Sequence, residues 1–401
     1  MKLMMENWRR FVKLHEAVNP ETIKKIQDTL AHAGGDSYIT GGAVRDALIP
    51  GTPESKDIDF IVTGLTLDEI AEVLAPLGSI NQVGKSFGVV IANIDGEDFD
   101  IAIPRTGETK TGEGHADFDV TTDPNAPVES DLQRRDFTIN AMAQDADGNI
   151  IDLYGGKEDI QNKIIRAVGE PEERFNEDPL RMLRALQFAV RFGFTIEPKT
   201  AAAIKKLSDK FQTIAPERIL GEFKKAWVKG SQNTDLFIEL LDDLGVGETL
   251  FGPDFQPKAV KVSGDANDLT NANFVSFFLL GGEPAALRPT NEMMSYLQIA
   301  RSVLSGEKEV WELGGKAKDK LPLVASVLKS FDKKAAAKIE DALSLPLSPQ
   351  ELVIGGRELM SLGLKGPQIG QAQQDILRAI HSGEIKNEPK DIEDFLQRKA
   401  T

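Results

Sequence analysis

The sequence predicts an α+β protein: an N-terminal α/β head with a small mixed sheet, followed by an all-helical neck, body and tail. Strand-like runs alternate with helical segments until about residue 154, where the β signal ends. From about Lys157 onward, apolar residues recur at helical spacing. A chain of 401 residues exceeds what one core usually holds, so two to four domains are expected.

The composition is that of a globular protein, with 41% hydrophobic and 27% charged residues. The chain has no cysteine, which excludes disulfides, thiolate zinc sites and a cysteine nucleophile. We find no signal peptide and no apolar run long enough to span a bilayer. The expectation is a cytoplasmic protein without a membrane partner, whose oligomeric state the sequence leaves open.

The charge is unevenly distributed. The formal net charge is −16, which by itself argues against binding nucleic acid. The stretch from Gly155 to Gly230, however, holds 15 Lys and Arg against 11 Asp and Glu. This net positive region predicts local binding of a polyanion, while the acidic remainder limits non-specific contacts.

The head begins with alternating helices and strands. Asn19 to Ala33 reads as an amphipathic helix, and Ser37 to Thr40 as a short strand that enters a Gly41-Gly42 turn. Ala43 to Ile49 is predicted to be helical because Pro50-Gly51 ends it. Asp57 to Val62 then alternates polar and apolar residues as a strand does.

The rest of the head contains a predicted hairpin and a loop. Phe87 to Ile94 and Asp98 to Ile103 read as paired strands around an Asp95-Gly96 turn. The polar stretch from Thr106 to Asp131, rich in Gly and Asp, is predicted to be a long functional loop.

After about Lys157, helices are predicted on either side of a loop-like segment, Gly252 to Asn273. The clearest helical patterns are Pro179 to Phe192, Lys199 to Lys210, Pro216 to Trp227 and Asp235 to Leu244.

Asp57 and Asp59 are the strongest candidates for a metal site. Residues i and i+2 of a strand face the same way, so both carboxylates leave one face of the sheet. Mg²⁺ takes one or two carboxylates together with substrate phosphates, and two such ions can activate a 3′-hydroxyl. The alternative is a half-buried strand with a polar outer face, which for Asp-x-Asp alone is the more frequent case.

The Gly41-Gly42 turn is the candidate phosphate site. A glycine turn at a helix N-terminus presents free N–H groups and a positive dipole end, and Arg45 adds a cation one turn later. An ordinary strand-to-helix turn with a surface arginine would look the same. The Asp pair downstream favours the functional interpretation.

Two further candidates surround these residues. Asp100 alternates with apolar neighbours on a predicted strand and suits a third carboxylate, as metal ligand or as base for a 3′-hydroxyl. It equally suits an edge-strand aspartate. Arg134 and Arg135 can clamp phosphate bidentately, or can simply begin a solvated amphipathic segment.

Asp178 and Arg181 open a helix and are candidates for reading a nucleobase. Asp178 also suits an N-cap before Pro179, which is a purely structural alternative. Arg181 begins a polar stripe that continues at helical spacing through Arg184, Gln187 and Arg191. Cytosine and adenine each present an amino donor beside a ring acceptor, so one Asp–Arg pair can accept both and reject U and G.

Together these segments resemble the class II tRNA nucleotidyltransferase and poly(A) polymerase family, and within it the bacterial CCA-adding enzymes. The resemblance covers about residues 37 to 230, in the family's order and spacing. The matching segments are GGAVRD (Gly41 to Asp46), KDIDF (Lys56 to Phe60), RRDFTINAM (Arg134 to Met142), DLYGG (Asp152 to Gly156), EDPLRMLRALQFA (Glu177 to Ala189) and PERI (Pro216 to Ile219). The resemblance implies a DNA polymerase beta-like nucleotidyltransferase head.

The resemblance also implies roles for individual residues. Asp57 and Asp59 are implied as Mg²⁺ ligands, and Asp178 and Arg181, with Arg184 alongside, as the base-reading residues. The Thr106 to Asp131 segment is implied as the loop that helps the family switch from C to A addition. The implied contacts to the nucleotide phosphates are Gly41, Gly42, Arg45 and Arg135.

The domains expected from this comparison are a catalytic head at 1–153, a base-selecting neck at 154–230, a body at 231–340 and a tRNA-binding tail at 341–401. The tail segments from Leu347 onward resemble bacterial CCA-adding enzymes rather than poly(A) polymerases, which tend to end in basic tails. The sequence departs from the family at Gln187, where many members have arginine.

The predicted activity is template-independent, Mg²⁺-dependent addition of CCA to tRNA 3′ ends from CTP and ATP. Three alternatives stay open from the sequence: a poly(A) polymerase, a partial enzyme that adds only A or only CC, and an RNA-binding protein without catalysis. The Asp57 and Asp59 pair argues against the last, because RNA binding alone does not need two carboxylates there.

Overall fold

The structure is a computed structural model that describes residues 18–52, 57–82, 88–110 and 118–400. It divides into two compact units, Met1–Ile219 and Leu220–Thr401. Within the described ranges, no helix is long and apolar enough to cross a membrane. The segment from Met1 to Glu16, whose role the sequence leaves open, lies outside these ranges.

A seven-stranded mixed sheet organises the described part of the first unit. Its strands are β1 Asp36–Thr40, β2 Ile58–Thr63, β3 Gly78–Asn81, β4 Val89–Ile94, β5 Glu97–Ala102, β8 Met142–Gln144 and β9 Ile150–Asp152. The strand order is β3-β4-β5-β2-β1-β8-β9, with β2 and β5 parallel and the other neighbours antiparallel. This confirms the predicted mixed sheet.

The helices of the first unit pack on this sheet and continue beyond it. The helices are α1 Pro20–His32, α2 Gly42–Leu48, α3 Leu67–Leu74, α4 Val128–Gln133, α5 Gly156–Asn162, α6 Pro171–Glu177, α7 Leu180–Phe192 and α8 Pro198–Lys206, followed by α9 Pro216–Lys229, within which the unit boundary lies. Helices α1 and α3 pack against each other and contact β1 and β4, respectively.

Helix α4 positions the functional residues. It packs through Val128 and Leu132 against Ile61 of β2 and Ala143 of β8. Because Ile61 and Asp59 are two residues apart on β2, they share a face of the sheet. The chain that leaves α4 at Gln133 therefore begins on the same face as Asp59.

The predicted loop from Thr106 to Asp131 contains regular structure, so that prediction was wrong for most of the segment. Strands β6 Arg105–Lys110 and β7 Phe118–Thr122 form a separate antiparallel hairpin, and α4 begins at Val128. The Gly and Asp content suggested a loop, but threonines occur in both strands and Val120 in the second, which favours strands, and pairing between the two runs outweighs the glycines. Residues 111–117 lie outside the described ranges.

A short parallel pair of strands interrupts the helices after the sheet. Strand β10 (Ile164–Ile165), which precedes α7 in the chain, pairs with β11 (Thr195–Ile196), which follows it. Helix α7 buries Leu183, Leu186 and Val190 and ends at Gly193, whose φ of 66° is left-handed. The helix predicted over Pro179 to Phe192 is thus confirmed.

The second unit is helical around an aromatic core, as predicted. The helices after α9 are α10 Thr234–Asp243, α11 Val246–Phe251, α12 Ala266–Phe278, α13 Asn291–Ser305, α14 Leu321–Leu328, α15 Lys333–Leu343, α16 Gly356–Ser361, α17 Pro367–His381 and α18 Pro389–Ala400. Phe223 of α9 lies 5.5 Å from Phe251 between ring centroids. Trp227 of α9 lies 5.4 and 6.5 Å from Phe277 and Phe274 of α12.

The loop-like interpretation of Gly252 to Asn273 was wrong from Ala266 onward. Asp265 caps α12 by accepting hydrogen bonds from the N–H groups of Asn267 and Asp268. Asparagines have low helix propensity, which hid this helix in the sequence. Burial of its phenylalanines in the aromatic core outweighs that propensity.

Candidate active site

Three carboxylates meet on one face of the sheet. Asp59 on β2 lies directly beside Asp100 on β5 in the parallel register, and Asp57 immediately precedes β2. All three side chains are exposed, while the alternating neighbours Ile58 and Phe60 are buried. The structure thus brings together the three acidic residues predicted for catalysis.

The pKa of Asp59 reflects its burial and the charges near it. The pKa of Asp59 is raised to about 6, chiefly by partial burial and also by Asp100 and Asp57, while Arg135 acts in the opposite direction. The side chain is exposed at the surface, yet the surrounding protein removes part of its hydration. Such mutual repulsion between carboxylates is what a bound cation relieves.

The donor set fits a divalent metal ion, because carboxylate oxygens are the ligands that hard cations prefer. Among the described residues, no group of three or more His, Cys, Asp or Glu surrounds a single point as a complete protein cage would. Mg²⁺ usually takes one or two carboxylates and fills its remaining positions with phosphate oxygens and water. A site built from Asp57 and Asp59 and completed by substrate matches that pattern.

The glycine turn lies next to this acidic face. Thr40, the last residue of β1, pairs with Asp59, and Gly41 follows with a left-handed φ of 68°. A Cβ atom at Gly41 would lie 2.5 Å from Nη1 of Arg135, whereas Gly42 has room for one. Gly41 is therefore required both for its backbone conformation and for the close approach of Arg135.

Arg135 is held between the glycine turn and a buried carboxylate. Its Nη2 donates to Thr40 Oγ1 at 2.9 Å and to Asp131 Oδ2 at 3.1 Å. Burial alone would raise the pKa of Asp131, but Arg135 and Arg134 outweigh burial and lower it. This arrangement presents a cation beside the turn and the carboxylates, where a triphosphate would need one.

Arg45, the other arginine predicted beside the glycine turn, is buried. Its side chain is 5% exposed and donates to Asp46 Oδ1 at 2.7 Å and to Asn140 Oδ1 at 2.5 Å. Its guanidinium lies 5.1 Å from the ring centroids of Phe188 and Phe192. Burial lowers the pKa of Arg45, and Asp46 acts in the opposite direction. In this conformation Arg45 supports the turn from behind instead of facing open solvent.

Arg184 is also anchored within the protein. It donates from Nε to Asp136 Oδ2 at 2.8 Å, and its guanidinium lies 5.2 Å from the Phe188 ring centroid. Burial alone would raise the pKa of Asp136, but Arg184 and hydrogen bonds including that from Asn140 lower it. Arg184 therefore connects α7 to the segment that follows Arg135.

Asp178 and Arg181 do not pair with each other in this structure. Asp178 accepts two hydrogen bonds from Arg218 of α9, while Arg181 donates to Glu177 Oε2 at 2.7 Å. Arg181 Nη2 also donates to the backbone carbonyl of Arg134 at 3.1 Å. The segment from Arg134 to Asp136 thus contacts the base-reading candidates on one side and the phosphate candidates on the other.

These contacts also involve five residues that the sequence did not identify as candidates. They are Thr40, Asp131, Asp136, Asn140 and Arg218. Asp131 lies four residues before Arg135, a helical spacing at which opposite charges meet, so the sequence did carry a signal for it. The partners of Arg184 and Asp178 are 48 and 40 residues away, beyond any local pattern.

Comparisons with known proteins agree with this geometry. Residues 37–166 match the poly A polymerase head domain, and residues 193–258 match the family described as a probable RNA and SrmB-binding site of polymerase A. A CCA-adding enzyme of Lactobacillus helveticus is 31% identical over 394 residues, which covers 93% of this chain and 95% of that protein.

Solved structures show the same fold. The crystal structure of the Bacillus stearothermophilus CCA-adding enzyme in complex with CTP is 27% identical and aligns with a TM-score of 0.68 over 95% of this chain and 97% of that one. The Thermotoga maritima enzyme complexed with tRNA aligns with a TM-score of 0.71 over 97% and 98% at 20% identity, a likeness of fold.

The fold, the acidic face beside the glycine turn and the near full-length similarity lead to one conclusion. The chain belongs to the CCA-adding enzyme family of nucleotidyltransferases.

Proposed function

We propose that this protein adds C, C and A to the 3′ ends of tRNA, taking CTP and ATP as substrates and Mg²⁺ as cofactor. The observation that carries the proposal is the joint placement of Asp57, Asp59 and Asp100 beside the Gly41 turn and Arg135. The nearly full-length relative from Lactobacillus helveticus, named a CCA-adding enzyme, supports the same substrate set.

In this proposal, different residues bind the triphosphate, bind the divalent ion and support the glycine turn. The N–H groups of the glycine turn and the Arg135 guanidinium hold the triphosphate, and Asp57 and Asp59 bind the divalent ion. When bound, that ion polarises the phosphate and stabilises developing charge. Arg45 contributes by holding the turn in place through Asn140 and the α7 phenylalanines.

The transfer itself exchanges one P–O bond for another. The 3′-oxygen of the tRNA bonds to the α-phosphorus as the bond to the β-phosphate bridging oxygen breaks, and pyrophosphate leaves. Asp100, one strand away from Asp59, is the proposed acceptor of the 3′-hydroxyl proton. Asp178 accepts a hydrogen bond from the base amino group, Arg181 donates to the ring nitrogen, and Arg184 steadies the helix that carries both.

We assign the proposed roles to regions of the chain as follows. Residues 1–153 form the catalytic head, 154–230 the base-selecting neck, 231–340 the body, and 341–401 a tail that holds tRNA. The positive charge of the stretch from Gly155 to Gly230 supports contact between the neck and tRNA phosphates.

The decisive test is extension of a tRNA transcript that ends at the discriminator base, with Mg²⁺ and with CTP, ATP or both. We expect growth by three residues and then a stop. Asp57→Ala and Asp59→Ala should each lower the rate by about a thousandfold, because the metal ligands are lost. Asp147→Ala, in an exposed turn, is the matched control and should extend normally.

Other outcomes identify the alternatives. Long tails from ATP alone would indicate a poly(A) polymerase, and addition of only A or only CC a partial enzyme. Tight tRNA binding without extension under any condition would leave an RNA-binding protein and refute the proposed activity.

A further inference from the structure

Arg218 makes a two-pronged contact with Asp178. Its Nη2 donates to Oδ2 at 2.8 Å and its Nη1 to Oδ1 at 3.3 Å. Both side chains are about one quarter exposed, at 23% and 24%, so the pair borders solvent without being a loose surface contact. A guanidinium presents two parallel N–H groups in a rigid fork, which fixes the plane of the carboxylate as well as its position.

The remaining contacts of Asp178 leave it a single vacant acceptor position. The backbone N–H of Leu180 donates to Oδ1 at 3.0 Å, in addition to Arg218 Nη1. A carboxylate has about four lone-pair sites, two on each oxygen. Among the described residues, Oδ1 is therefore filled and Oδ2 keeps one site open beside its contact with Arg218.

Arg218 is held here at a cost to its own hydrogen bonding. Its Nε is buried and has no hydrogen-bond partner among the described residues. An unsatisfied buried donor needs an explanation in a native structure. The contact with Asp178 supplies one, since the geometry that turns both Nη groups toward the carboxylate leaves Nε without an acceptor.

We propose that Arg218 is a positioning residue for nucleotide selection, which orients Asp178 so that it offers one acceptor to the base. The inference rests on the proposed function and names a determinant of its specificity. The amino groups of cytosine and adenine donate to that acceptor. Uracil and guanine present a carbonyl oxygen at the equivalent place, and two acceptors repel each other.

Without the fork of Arg218, the Asp178 carboxylate is free to rotate and to present other faces to the base. Selection should then weaken more than catalysis does, because the carboxylates and Arg135 that contact the metal and phosphates are untouched. Lysine keeps the positive charge but cannot provide two parallel N–H groups. Arg218→Lys therefore tests whether Asp178 needs the two parallel N–H groups that orient it or only the positive charge.

The test is single-nucleotide incorporation onto two tRNA transcripts, one ending at the discriminator base and one ending in CC. The ratio of kcat/KM for UTP to that for CTP, and for GTP to that for ATP, is measured for the parent, Arg218→Lys and Arg218→Ala. We expect both ratios to rise by at least about tenfold in each variant. Thermal melting of Arg218→Lys should stay close to that of the parent.

Arg166→Lys is the matched control, because Arg166 also donates through two nitrogens to one aspartate, Asp159. It should leave both ratios unchanged. The proposal is overturned if a folded Arg218→Lys protein keeps the parental ratios within twofold, or if Arg166→Lys shifts them equally. Failure of the proposed function is recognised separately, because the parent itself would then incorporate neither CTP nor ATP.

Discussion

At the scale of single residues, the main feature of the acidic face is repulsion between its carboxylates. Asp59 has carboxylates on both sides, one beside it on the next strand and one two residues earlier. Arg135 offsets only part of this repulsion. Binding of a cation to this face relieves the repulsion between the carboxylates, and this relief contributes favourably to the binding free energy.

This gives a pH-dependent prediction for Asp59→Asn. Because the pKa of Asp59 in the folded protein, about 6, is above its ordinary value of 3.8, the carboxyl stabilises the fold below about pH 4 and loses that contribution as the pH rises through 6. Without metal at pH 8, the permanently neutral variant should be the more stable by about 1 kcal/mol, a value discounted for solvent screening of an exposed group.

Urea unfolding in EDTA at pH 8 and near pH 4 measures this difference. The advantage of Asp59→Asn should disappear at the lower pH and reverse at pH 8 when a divalent cation is added, since only the parent keeps the second ligand. An equal difference at both pH values would contradict the raised pKa.

At the scale of elements, helix α7 ties the two halves of the candidate site together. Its N-terminus carries Arg181, bonded to the Arg134 carbonyl, and its middle carries Phe188, on which Arg45 of α2 lies. Arg191 near its C-terminus pairs with Asp46, also of α2, at 2.9 Å. The phosphate turn and the base-reading residues are thereby attached to one rigid helix.

Replacing Arg45 tests this attachment. Arg45→Met should lower the free energy of unfolding by about 3 kcal/mol, since it breaks a buried ion pair and leaves Asn140 without its donor. Arg191 still pairs with Asp46 and limits the loss. Nucleotide binding should weaken as well, because the turn loses its support.

The control for Arg45→Met is Lys199→Met, which removes an exposed ion pair with Glu170 and should not change stability measurably. Urea unfolding and CTP titration are the two measurements. If Arg45→Met weakened nucleotide binding without any loss of stability, Arg45 would contact phosphate directly, as the sequence predicted.

At the scale of the whole molecule, charge is segregated along the chain. The stretch from Gly155 to Gly230 is net positive within a protein of net charge −16. Such a distribution concentrates attraction for a polyanion on one region and weakens it elsewhere. The lysines of α8 and the residues after it contribute to this region, and Lys205 is exposed.

The affinity for tRNA should therefore depend on the salt concentration, and a small number of phosphate contacts should account for that dependence. With about three phosphate contacts, the affinity should fall about 40-fold between 50 and 200 mM KCl, from the relation between salt slope and phosphates neutralised. Fluorescence anisotropy with labelled tRNA measures this slope. Lys205→Glu should reduce the slope, whereas Lys333→Glu, in the helical second unit, should leave it unchanged. A salt-independent affinity would rule out a basic tRNA-binding region.

Local patterns in the sequence determined much of the fold and the identity of the chemistry. Alternation placed Asp57, Asp59 and Asp100 on exposed strand faces, and the glycine turn and the helix over Pro179 to Phe192 followed from spacing and caps. These features depend on neighbours within a few residues, which is the range over which periodicity and capping act. The paired strands around Asp95-Gly96 were predictable for the same reason.

Only the tertiary structure decided which side chains meet. It buried Arg45 against Phe188, paired Asp178 with Arg218, and formed a hairpin and α4 within a polar stretch. The reason is physical: ion pairs, ring contacts and strand pairing join residues far apart in the chain, and their energies outweigh local propensity. The sequence thus specified the groups that can perform the chemistry, and tertiary contacts of α2, α4, α7 and Arg218 decided their partners.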